Sequence, residues 1–236
     1  MAIRGILFDK DGTLIDYRRT WVPINREVAD FAAGGDRLLA AELLARNGHD
    51  PATDRVTAGS VLAAGSVYDV AAAFAAQLGA RAPQGLAAAI DRLYREGGAR
   101  HSVPIGGVGG TLRELKRRGF RLGVASNDSQ GGLLASLGGH GILELLSFTV
   151  GCDSGFGGKP DRRMALGFCQ AVGLAPGDIA VVGDAVHDLV MGRSAGAALA
   201  IGVLSGTSAR EDLQDEADLV LDSVNDLLAI GAFARA

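Results

Sequence analysis

Short apolar runs ending in polar turns alternate with helically spaced stretches through much of the chain. Ile3-Arg4-Gly5-Ile6-Leu7-Phe8 reads as a buried strand. Similar runs recur at 120–125, 147–150, 179–182, 197–203 and 219–221. Helical spacing marks 111–118, with Gly119 suited to its C-terminal stop, and 161–172. Such repeated strand–helix units predict a parallel sheet covered on both faces.

From about residue 24 to residue 98 the pattern changes. The text is Ala-rich, helically spaced and without a convincing strand. Helices are expected at 25–33, 36–47, 67–78 and 84–96. Gly34-Gly35, Gly48-His49-Asp50-Pro51 and Gly79-Ala80-Arg81-Ala82-Pro83 separate them. Four helices between two strands of one sheet predict an inserted helical domain.

Composition narrows the function classes. At 236 residues and 48% hydrophobic content the chain supports a real core. A net charge of −4 with no basic block gives no support for nucleic-acid binding. Cys152 and Cys169 make no metal-type pair and fit packing roles in a reducing compartment. The N-terminal segment enters a strand directly, without a basic region followed by a long apolar run. A cytoplasmic protein with no membrane partner is therefore expected.

The candidate chemistry sits where strands end. Asp9 and Asp11 follow the first run, and alternation lets both lean to one side while Lys10 is expected to point away. Gly12 permits a sharp turn. Ser126-Asn127 ends the strand at 120–125 and suits either phosphate oxygens or a helix cap. Lys159, in Gly157-Gly158-Lys159-Pro160, is a point charge on a loop. Asp184 ends another strand and Asp188 lies one helical turn later, so both carboxylates suit a cation or a helix N-terminus. His187, between two acids on a helix start, is expected at the surface or in a supporting role. Each cluster has an ordinary structural explanation. Their order along one sheet edge does not.

DxDGT at 9–13, Ser126 at a strand end, Lys159-Pro160 and GDxxxD at 183–188 resemble the haloacid dehalogenase-like hydrolases. The pattern is most similar to their phosphoglycolate phosphatase-type branch. The resemblance implies an α/β fold, with a Rossmann-like doubly wound parallel sheet core and an inserted α-helical cap domain. Residues 1–16 and 103–236 would form the core and 17–102 the cap. It also implies that Asp9 is the nucleophile and Asp11 the general acid/base. Ser126 and Lys159 would bind the transferring phosphoryl group, with Gly12, Thr13 and Asn127 beside it. Mg²⁺ would be held by Asp9, the Asp11 backbone carbonyl and Asp184, with Asp188 supporting the site.

An acid at position 11 separates the chain from the dehalogenases of the family. No lysine lies between Asp11 and Lys116, so a cap Schiff base has no candidate. The expected substrate is a small phosphorylated metabolite, phosphoglycolate-like or a sugar phosphate. A phosphomutase and a non-catalytic phosphometabolite-binding module are the alternatives. Arg18 and Arg19 could hold a substrate carboxylate or lie in a solvated loop. Trp21 could line the cavity mouth or anchor cap to core. Arg26 and Arg55 are weaker substrate candidates. Hinges are expected near 16–19 and 101–104, and the protein is expected to be a monomer or homodimer.

Overall fold

In the computed structural model, which describes residues 2–234, six parallel strands form one sheet. They are β1 (Gly5–Phe8), β4 (Arg121–Ala125), β5 (Phe148–Val150), β6 (Ile179–Gly183), β7 (Leu199–Val203) and β8 (Leu219–Leu221). Their order is β5-β4-β1-β6-β7-β8, the doubly wound arrangement in which the chain proceeds outward from β1 in both directions. Phe8 pairs with Val124 on one side and Val182 on the other.

Alternation along the strands sorts the core into two layers. Ile6, Phe8, Val124 and Val182 pack with α6 (Val108–Arg117) and α7 (Gln130–Leu137). Leu7, Ile179 and Val181 pack on the opposite face with α8 (Arg163–Val172) and α9 (Val186–Ala195). Both faces are thus covered, which explains why these strands read as continuous apolar runs. Each fully buried large side chain contributes roughly 1.5–3 kcal/mol relative to exposure.

Between β1 and β4 lie α1 (Tyr17–Ala32), α2 (Arg37–Arg46), β2 (His49–Asp50), β3 (Arg55–Val56), α3 (Val61–Ala64), α4 (Val67–Leu78) and α5 (Leu86–His101). This helical insert has its own apolar cluster, including Trp21, Ile24, Leu43, Phe74 and Ile90. Besides the short helix α3, which the spacing did not predict, it differs from the sequence expectation in three ways. First, α1 starts eight residues before position 25 and runs through Pro23, because Asp16 caps it by accepting from Arg19 N at 3.0 Å. Second, β2 and β3 form a two-residue antiparallel ribbon where no strand was legible. Third, α5 continues through Gly97-Gly98, since α5 packs closely on α1. A Cβ at Gly97 would lie 2.9 Å from Ile24. Among the described residues, no helix is long and apolar enough to cross a membrane.

Candidate active site

The two central strands of the switch point each deliver a carboxylate. Asp9 follows β1 and Asp184 follows β6, and Asp9 N donates to Val182 O at 2.8 Å. Ligands of doubly wound sheets bind beyond this carboxyl edge, where the strand order reverses. One oxygen of Asp9 accepts from Lys159 Nζ. The other, Oδ2, is buried with no hydrogen-bond partner among the described residues. Lys159 Nζ also donates to Asp188 Oδ1 at 2.6 Å. Its own backbone N–H donates to Asn127 Oδ1 at 2.8 Å, which fixes the lysine loop to the end of β4.

Asp188 Oδ2 accepts from Ala185 N at 3.1 Å, and Asp184 Oδ2 accepts from Thr207 N at 2.9 Å. The close approach around Asp184 requires glycines. Gly12 has φ +82°, and a Cβ there would meet Asp184 Oδ2 at 2.6 Å. A Cβ on Gly206 would meet the same oxygen at 1.8 Å.

These acids are buried around one ammonium. Burial raises the pKa of Asp9 to about 7; Asp188 and Asp11 add to the rise, and Lys159 opposes it. Burial likewise holds Asp184 well above the carboxylate range, with repulsion from Asp9 and Asp188. Burial opposes ionisation of Asp188 too, but the adjoining Lys159 charge prevails and its pKa is lowered. Burial disfavours the Lys159 charge, yet Asp188 and Asp9 push its pKa upward.

Asp9, Asp184 and Asp188 offer oxygens that all lie within 4.8 Å of one another. Two of these carboxylates, Asp9 and Asp188, pair with Lys159, and one buried Asp9 oxygen lacks a hydrogen-bond partner among the described residues. That arrangement fits a bound cation. The all-oxygen donor set suits a hard ion such as Mg²⁺.

Asp11 is held differently. Its Oδ1 accepts from Trp21 Nε1 at 2.5 Å, and its Oδ2 lies 2.9 Å from Lys10 Nζ. Lys10 therefore does not point away from the Asp11 carboxylate. The regular strand ends at Phe8, so alternation no longer governs positions 9–11. Lys10 is fully buried, lies 2.9 Å from Asp128 Oδ2, donates to Ser136 Oγ at 3.2 Å, and sits 4.6 Å from the Trp21 ring centre.

A single cavity brings Asp9, Asp11, Ser126, Asn127 and Asp184 together. Its far wall comes from the insert, including Tyr17, Trp21, Asn25 and Tyr94. Ser126 Oγ accepts from Asp128 N at 3.1 Å, and Asn127 Nδ2 donates across the cavity edge to Ala64 O at 2.9 Å. Thr13 is buried, and its hydroxyl has no hydrogen-bond partner among the described residues.

Arg18 and Arg19 are not brought to this cavity. Arg18 donates to Thr53 O at 3.3 Å and lines a second cavity with Arg55 and Ser205. Arg19 is exposed. Helix α1 is the cause: it turns Trp21 and Asn25 inward and places these arginines on other faces. Arg26 is paired with Asp54 at 2.5 Å. His187 is half-buried on the wall of the main cavity rather than at the surface, and burial lowers its pKa.

Sequence reasoning missed Lys10, Asn25, Asp128 and Thr207. The available signal for Lys10 was a lone lysine between two acids in an otherwise apolar context. Asn25 carried none beyond its place in a helix.

A family model described as haloacid dehalogenase-like hydrolase matches residues 3–196. The chain is 28% identical over 232 residues to N-acetylmuramic acid 6-phosphate phosphatase of Pseudomonas aeruginosa, covering 98% of this chain and 95% of that protein. It is 32% identical over 199 residues to phosphoglycolate phosphatase of Xylella fastidiosa, covering 82% and 77%. The crystal structure of a Deinococcus radiodurans family hydrolase with bound phosphate and sodium matches with a TM-score of 0.69. Identity there is 23%, covering 100% of this chain and 99% of that one.

Proposed function

The chain belongs to the haloacid dehalogenase-like hydrolases, and we propose that it is a Mg²⁺-dependent phosphatase acting on a small phosphorylated metabolite, phosphoglycolate-like or a sugar phosphate. The observation that carries this reading is the Asp9 carboxylate. It is buried, paired through one oxygen with Lys159 and unpartnered at the other, and it shares a cavity with Asp11.

Asp9 attacks phosphorus in line. The bond from its oxygen to phosphorus forms as the bond to the leaving alkoxide breaks. Asp11, positioned by Trp21 and Lys10, gives its proton to that alkoxide. It then takes a proton from the water that cleaves the aspartyl phosphate, which releases inorganic phosphate and restores both acids. Lys159 and the Ser126 hydroxyl stabilise charge on the equatorial oxygens. Asp9, the Asp11 backbone carbonyl and Asp184 would hold Mg²⁺, with Asp188 orienting Lys159 beside them. When bound, Mg²⁺ offsets the repulsion between anionic substrate and anionic Asp9.

Residues 17–102 act as the cap, which excludes water and contacts the leaving group. Phosphate release from a panel of phosphorylated metabolites, with Mg²⁺ and with chelator, tests the proposal. Metal-dependent release is expected from the wild type. The Asp9→Asn variant should be slower by at least about 10³-fold while remaining folded. Undiminished turnover by that variant removes Asp9 from its role.

A further inference from the structure

The cavity that receives the leaving group has an unusual charge balance. Asp9, Asp11, Asp128 and Asp184 line it, and none of its lining residues is lysine or arginine. The buried Lys159 faces Asp9 and Asp188, where the phosphoryl group would sit. Other nearby cations are committed elsewhere. Lys10 is enclosed by Asp11 and Asp128, Arg26 pairs with Asp54, and Arg18 lies on the second cavity. The His187 ring lies 3.8 Å from Asp188 Oδ1, so it already faces a carboxylate.

The remainder of the wall is neutral. Leu62, Val67 and Val70 present apolar surface, with the rings of Tyr17, Trp21 and Tyr94. Three polar groups of these rings are already donating: Tyr17 to Leu62 O, Tyr94 to Asn25 Oδ1, and Trp21 to Asp11. One donor is left over. Asn25 is only 2% exposed and lines the cavity, and beyond the neighbouring Tyr17 hydroxyl its Nδ2, which carries two N–H groups, has no partner among the described residues. Buried amide donors are costly to leave unpaired, so this one points to an acceptor on the ligand.

We propose that the substrate is a phosphomonoester whose leaving group is uncharged and hydroxyl-bearing, with a hydroxyl oxygen accepting from Asn25 Nδ2. The inference rests on the phosphatase reading and narrows it. A carboxylate or second phosphate on the leaving group would enter a site already holding several acids. The acids already occupy the cations beside them, and among the described residues no uncommitted lysine or arginine lines the cavity to replace its hydration. A hydroxyl satisfies Asn25 without that penalty. The insert therefore selects by the absence of an arginine clamp. Phosphoglycolate, which carries a carboxylate, becomes the disfavoured member of the two classes proposed above.

Isosteric pairs test this directly. 2-Hydroxyethyl phosphate replaces the carboxylate of 2-phosphoglycolate by a hydroxymethyl group, and glycerol 3-phosphate does the same for 3-phosphoglycerate. The neutral member of each pair should have the higher kcat/KM by at least about tenfold. Equal values, or preference for the carboxylate member, overturn the inference. p-Nitrophenyl phosphate separates the two levels of failure. If it too is untouched with Mg²⁺ present, the phosphatase reading itself falls, and this inference with it.

Two variants supply independent readouts. Ala63→Arg, on the half-buried cavity wall in α3, should shift the ratio within each pair toward the carboxylate by about tenfold. An unchanged ratio counts against the charge argument. Asn25→Leu should lower kcat/KM for glycerol 3-phosphate about tenfold more than for p-nitrophenyl phosphate, which has no hydroxyl to accept the amide. An equal loss on both removes Asn25 from leaving-group recognition.

Discussion

The ammonium of Lys10 lies 2.9 Å from Asp11 Oδ2 and 2.9 Å from Asp128 Oδ2, beneath the Trp21 ring. One fully buried cation thus joins the proposed acid/base to the loop after β4 and to the helical insert. Removing the charge strands the buried Asp128 carboxylate and unpairs the partly exposed Asp11 carboxylate. Lys10→Met should destabilise the fold by about 3–5 kcal/mol, the range for breaking one partner of a buried pair. Urea denaturation checks it. Adding Asp128→Leu should recover part of the loss, and purely additive losses would show that the pair is not coupled.

Trp21 carries a separable role. Its indole N–H reaches Asp11 Oδ1 at 2.5 Å, while its ring packs edge-on to Tyr94 with centroids 5.4 Å apart. Trp21→Phe keeps an aromatic ring and removes the donor. A loss of about tenfold in kcat with little change in KM is expected, since a charge-assisted hydrogen bond contributes roughly 1.5–3 kcal/mol. An unchanged kcat would assign Trp21 to packing alone.

Metal binding should register in stability as well as in turnover. Asp184 sits with Asp9 and Asp188 in the carboxylate cluster and, among the described residues, gains only the Thr207 hydrogen bonds. Saturating Mg²⁺ at about 100 times its Kd should stabilise the fold by about 2.7 kcal/mol. Chelator should abolish the shift. Asp184→Asn should reduce it sharply, as read by thermal melts across a Mg²⁺ titration.

Gly12 tests the geometry of that cluster. Its backbone is left-handed and its Cα faces Asp184. Gly12→Ala introduces both φ strain and a 2.6 Å contact. About 1–3 kcal/mol of destabilisation is expected for the strained backbone alone. A weaker Mg²⁺-induced melting shift should accompany it, because the contact displaces the Asp184 carboxylate.

Away from the site, Glu114 links pH to stability. Hydrogen bonds from Arg117 and Arg118 lower its pKa from 4.5 to about 2. A depressed folded-state pKa gives stability that is present above pH 4.5 and lost as pH falls toward 2. Arg118 also donates to the carbonyls of Leu228 and Phe233, so the cluster ties down the C-terminal segment. Glu114→Gln should melt below wild type at pH 7, and the gap should close between pH 4.5 and 2. A constant gap would exclude this linkage.

Much of the fold was legible because its signals are local. Runs such as Ile179–Val182 are apolar at every position, which only a strand buried on both faces requires. The helix Val67–Leu78 carries its own Ser66–Asp69 capping box, and its bounds coincide with those expected from spacing. The α/β class followed from such units in series. Asp9, Asp11, Ser126 and Asp184 could be singled out since each follows a strand, and the parallel topology brings those ends to one edge.

What the sequence determined, then, was the order of strands and helices and the residues at the strand ends, because hydrophobic period and turn chemistry act over a few neighbours. The tertiary structure decided which side chains meet. Gly97-Gly98 looks like a helix stop, but it lets α5 approach Ile24 and Ser136. Lys10 looked outward-facing by strand alternation, yet Asp128, 118 residues away, draws it into the interior. Arg18 and Asn25 sit on one helix, and only the packing of α1 turns the amide rather than the guanidinium toward the cavity. These outcomes depend on contacts between distant segments, whose energies no local pattern encodes.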